Sequence, residues 1–156
     1  MNEQSDAFAE AQKSVDKTVN DRVAKLLLNH SHLTRAQLET LLADSISNEK
    51  GSKKGQRRLF RPSGRTTSRG SYNRTLIQAQ NNVIRSIYTI LLMGYVGLFD
   101  APALQPFLEL SDNLQSYAED FKTLQPNEPT ILQQLEARLW DAISALAQRQ
   151  SFKDSL

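Results

Sequence analysis

The run from Ser86 to Phe99, SIYTILLMGYVGLF, is the most apolar stretch of the chain, and it continues a pattern that begins upstream. Leu76, Ile77, Val83, Ile84, Ile87, Tyr88, Leu91, Leu92 and Tyr95 keep a 3.6-residue period, so one long helix is expected over 71–99, starting near Ser68 or Ser71. Its first half is polar outside, through Arg74, Gln78, Asn81, Asn82 and Arg85. Its second half is apolar all round, which predicts a central helix buried by its neighbours. Gly94 and Gly97 weaken the pattern, and Asp100-Ala101-Pro102 is the expected stop. Fourteen residues make about 21 Å of helix against roughly 30 Å of hydrocarbon core, so no membrane contact is expected.

Most of the remaining segments also follow helical spacing, and none alternates with period two for long enough to argue a strand. Residues 1–19 are polar with small apolar residues and predict a flexible segment or a weak, fraying helix. From Asn20, Val23, Leu26 and Leu27 share a face, and His30-Ser31-His32 closes the segment. Thr34 and Gln37 match a capping box, with Leu33 and Leu38 at the spacing of a hydrophobic staple. The helix so started carries Leu38, Leu41, Leu42, Ser45 and Ile46 as its inner side. Residues 47–70 hold four glycines and one proline with almost no periodic apolar content, which predicts a long basic loop. After Pro102, a helix over 103–124 carries Leu104, Phe107, Leu108, Leu114, Tyr117 and Phe121. A last helix carries Ile131, Leu132, Leu135, Leu139, Trp140, Ile143 and Leu146. The expected fold is all-α with about five helices. It is a single domain over 20–156, with N-terminal helices over 20–46, the central helix, and a C-terminal helical pair over 103–150.

Charge is distributed unevenly along this frame. Ten of the nineteen basic residues fall between Lys50 and Arg85, and no Asp or Glu occurs from Lys50 until Asp100. The flanks are acidic: residues 1–49 hold five basic and eight acidic residues, and residues 86–156 hold four and nine. A net charge of +2 thus conceals a basic centre between acidic ends, which points to a polyanion as partner.

The segment RPSGRTT-SRGSYNRTL, ending at Leu76, couples that charge to a helix start. Ser hydroxyls and a glycine there expose backbone N–H groups to a phosphate, and the helix dipole adds positive potential. Arg and Asn are side chains that pair bidentately with guanine and adenine edges in the major groove. Arg69, Tyr72, Asn73 and Arg74 are therefore the candidate groove contacts, with packing against the scaffold helix an equal alternative for Tyr72. Lys53, Lys54, Arg57, Arg58, Arg61 and Arg65 are the candidate phosphate contacts of the loop.

The string Ser68-Arg69-Gly70-Ser71-Tyr72-Asn73-Arg74-Thr75-Leu76 resembles the start of recognition helices in helix-turn-helix regulators and resolvase-type DNA-binding domains. Leu33 to Leu42, LTRAQLETLL, resembles the scaffold helix that precedes one. The two matches cover about twenty residues, and the tight turn of that family is replaced here by a basic insertion of some twenty more. The resemblance implies double-stranded DNA as partner, with the insertion gripping phosphates or entering the minor groove as homeodomain arms do. It also makes a homodimer through the C-terminal helices attractive, because paired recognition elements multiply a weak single-site affinity.

Two other readings stay open. One is an RNA-binding protein that stacks Tyr72 or Phe60 on unpaired bases. The other is a helical adaptor whose basic loop docks on an acidic protein. An enzyme is not expected: the chain has no P-loop, nucleophile elbow or H-E-x-x-H motif, and only two histidines. No metal site or cofactor is expected, because His30 and His32 lack further ligands at metal spacing and Cys is absent. The missing cysteines and the polar, acidic N-terminus suit a cytoplasmic protein.

Overall fold

The computed structural model describes residues 3–49, 67–98, 104–111, 114 and 129–148. The protein is all-α, and among the described residues there is no strand. The helices are α1 (Glu3–Asn20), α2 (Arg22–Asn29), α3 (Arg35–Glu49), α4 (Arg69–Tyr95), α5 (104–111) and α6 (Pro129–Gln148). The chain divides into two compact units, Met1–Arg85 and Ser86–Leu156.

In the first unit the segment expected to fray is an 18-residue helix. Its stability comes from a narrow stripe, Ala11, Val15 and Val19, spaced four apart and 1–3% exposed. These small side chains carry little hydrophobicity individually, but they let another helix approach closely. That helix is α3, and it answers with small residues: Thr40, Ala43 and Ser47 are 0–1% exposed. The leucines expected inside, Leu38, Leu41 and Leu42, are only half-buried, and Ser45 is exposed. Burying two hydroxyls would be costly without partners. Here Thr40 Oγ1 donates to the Ala36 carbonyl at 2.6 Å, and Ser47 Oγ to the Ala43 carbonyl at 2.7 Å.

A single non-helical residue, Asp21, separates α1 from α2, and its Oδ2 accepts the Ala24 N–H at 3.0 Å as an N-cap. Val23 is buried, continuing the stripe of α1, while Leu27 is exposed. The capping box of α3 forms as expected: Gln37 N–H donates to Thr34 Oγ1 at 3.3 Å, and Thr34 N–H to Gln37 Oε1 at 3.0 Å. Arg35 on the same turn donates from Nε to Glu39 Oε1 at 2.8 Å and from Nη2 to Asn20 Oδ1 at 3.1 Å. It thereby ties the end of α1 to the start of α3, and Glu39 is buried beneath it.

The first half of α4 lies against α3. Tyr72 meets Thr40, and Asn82 meets Gln37 and the His32 carbonyl, so the two helices run in opposing senses. At its far end α4 stops before the expected Asp100-Ala101-Pro102. Gly97 adopts φ +74°, Leu98 N–H donates to the Met93 carbonyl at 2.9 Å, and Gly97 N–H to the Gly94 carbonyl at 3.1 Å. This is a Schellman cap, and glycine fits it because the left-handed region costs it nothing.

The second unit holds the last turns of α4 with α5 and α6. Leu114 is buried, and Leu104, Phe107, Leu110, Leu132, Leu135 and Leu139 are half-buried. The expected burial of the central helix is overturned. Tyr88, Leu91 and Tyr95 are 67%, 61% and 90% exposed, as are more than half of Leu108, Trp140 and Ile143. The run is apolar, yet most of its described residues are exposed. Tyr117 and Phe121 lie outside the described residues. Among the described residues no helix is long and apolar enough to cross a membrane.

Candidate nucleic-acid interface

The site begins at Ser68. Its Oγ accepts the Ser71 N–H at 3.2 Å and its carbonyl accepts the Tyr72 N–H at 3.0 Å, so Ser68 caps α4 and Arg69 opens it. The helix is then clamped at a defined rotation. Tyr72 is 2% exposed, with its hydroxyl 3.5 Å from the Thr40 carbonyl oxygen, and Ala79, seven residues on, is fully buried. Asn82 Nδ2 completes the clamp, donating to the His32 carbonyl at 3.0 Å and to Gln37 Oε1 at 3.3 Å.

Clamping one side turns the other out. At 100° per residue Arg74 stands about 200° around the helix from Tyr72. Arg69, Asn73 and Arg74 are all exposed. Neither guanidinium makes an ion pair or a side-chain hydrogen bond among the described residues. Both are thus open to an external anion, and the helix N-terminus beside them adds to the positive potential.

Tyr72 must be removed from the groove contacts. A ring held against α3 cannot reach a base, and its place in the sequence, between exposed neighbours, conceals that it faces the opposite way. Arg69, Asn73 and Arg74 keep the exposure that contact with a duplex requires. Lys53, Lys54, Arg57, Arg58, Arg61 and Arg65 lie outside the described residues.

No protein-family model, no curated protein and no solved structure matches this chain.

The positioning residues Asn82 and Thr40 were not foreseen. Asn81 and Asn82 are indistinguishable by composition. Only the count of ten residues from Tyr72 puts Asn82, and not Asn81, on the inward side. Thr40 contributes through a backbone carbonyl, for which side-chain pattern carries no signal. His30 and His32, at the α2–α3 turn, are both exposed.

Proposed function

We propose that the chain is a cytoplasmic DNA-binding protein of the transcription-regulator or nucleoid-factor kind. The supporting observation is the orientation of the α4 tip: Arg69, Asn73 and Arg74 face outward and uncommitted, while Tyr72 and Asn82 lock the helix to its support. The tip directly follows a tract in which no carboxylate offsets the basic residues. Phosphate contacts from that tract hold the protein on the duplex, and Asn73 and Arg74 present hydrogen-bonding groups to base edges.

RNA is the weaker reading. It depends on an aromatic ring for base stacking, and one of its two candidates, Tyr72, is buried.

Titration of the full chain with a labelled duplex across a salt series tests the proposal. With about six phosphates neutralised, log affinity falls against log salt with a slope of roughly −5. A slope near zero, or stronger competition by single-stranded or duplex RNA than by DNA, would overturn it.

A further inference from the structure

The outward face of α4 carries a second pattern, which has nothing to do with charge. Ile77, Asn81, Ile84, Tyr88, Leu91 and Tyr95 follow one another at intervals of four, three, four, three and four residues. This is the heptad spacing of a coiled-coil seam, with Ile77, Ile84 and Leu91 at one core position and Asn81, Tyr88 and Tyr95 at the other. All six are exposed. Opposite the seam in the same register Ala79 is buried, Ser86 exposed and Met93 half-buried, so the helix touches its own chain near both ends of the row while 83–92 stand exposed. The seam itself is about 27 Å long.

We infer that a second copy of this chain covers the seam, with the two α4 helices packed in parallel. Two features of the helix identify the occupant. The first is Asn81, a single amide in an otherwise apolar row. Paired in parallel it meets Asn81 of the other copy, and each amide can donate and accept. Paired antiparallel, with the row in register, it faces Leu91, and an amide is enclosed without a partner. The second feature is the flank. In parallel register Ile87 of one copy lies beside Leu92 of the other, joining two side chains that are 52% and 53% exposed. Antiparallel register sets Leu92 against Gln78 instead. The apolar side chains of seam and flank, most of them more than half exposed, amount to on the order of 800 Å² per copy, the share each partner gives to a stable interface of ordinary size.

Parallel pairing has a consequence that rests on the proposed function, although the seam itself does not. It places the Arg69–Arg74 tips of both copies at the same end of the pair, where a single duplex can meet both.

The test needs no nucleic acid. Sedimentation equilibrium of the full chain is expected to give a dimer of about 35 kDa, twice 17.6 kDa, and Leu91→Lys to raise the dimer dissociation constant at least ~100-fold. Leu91 is exposed, so far-UV circular dichroism of the variant should match the parent. A monomer at 100 µM total chain, or a dimer indifferent to Leu91→Lys, would overturn the inference. Orientation is read from cross-linking, which is clean because the chain has no native cysteine. Asn81→Cys and Leu91→Cys should each oxidise to a disulfide with itself. A disulfide formed only when the two variants are mixed would refute the parallel arrangement.

Discussion

Asn82 and Gln37 share one oxygen with a helix cap: Gln37 Oε1 accepts both the Asn82 amide at 3.3 Å and the Thr34 N–H at 3.0 Å. A side chain that caps α3 thus also helps fix the rotation of α4. A double-mutant cycle on Asn82→Ala and Gln37→Ala, read by urea denaturation, should return a coupling of about 0.5–1.5 kcal/mol. Strict additivity would show that the shared oxygen links nothing.

Tyr72 separates positioning from contact. Tyr72→Phe removes the hydroxyl, whose contact to the Thr40 carbonyl is long, and should cost about 1 kcal/mol. Tyr72→Ala empties a buried site and should cost about 3–5 kcal/mol in thermal or chemical unfolding. At temperatures where both remain folded, Tyr72→Phe should bind a duplex as the parent does. A large loss of affinity in that variant would return the hydroxyl to the interface.

For the two arginines the expectation is the reverse. Arg69→Ala and Arg74→Ala should leave the unfolding midpoint unchanged. Each is expected to weaken duplex binding and, where it meets a phosphate, to reduce the salt slope by about 1. Asn73→Ala should relax sequence preference, measured by selection from a randomised duplex library, more than it lowers overall affinity.

The cap of α4 gives a backbone prediction. Gly97→Ala places a Cβ on a residue at φ +74°, where nothing lies within 4 Å of it. The cost is therefore conformational alone, about 1 kcal/mol, and should appear as a lower Tm with no change in the mass found by sedimentation equilibrium.

What could be read from the sequence follows how local each signal is. The capping box at Thr34 and Gln37 lies within four residues, and it formed as its spacing implies. The all-α class rested on periodicity repeated over most of the chain. By contrast, α1 reads in the sequence as no more than a weak, fraying helix, because Ala11, Val15 and Val19 are too small to register as a hydrophobic face. The same close approach displaced burial on α3 from its leucines to Thr40, Ala43 and Ser47. Abundant apolar residues in α4 suggested a core, but periodicity reports that a face wants cover without saying whose chain supplies it. Around the site, Arg69, Asn73 and Arg74 were legible as chemistry. The sequence leaves Tyr72 open between groove and scaffold helix, since the choice depends on a contact thirty-two residues away.

The contact between α1 and α3 is close enough that added volume has nowhere to go. Ala43→Leu should overpack it and cost about 1–3 kcal/mol or more, seen as a fall in the urea midpoint, whereas Ala43→Gly should cost only about 1 kcal/mol through helix propensity.

Tolerance at that contact is therefore one-sided. A leucine core degrades when residues shrink; this one degrades when they grow. Drift at positions 11, 40, 43 and 47 should stay among alanine, serine, threonine, glycine and cysteine. The two hydroxyls, already bonded within their own helix, can come and go without stranding a polar group.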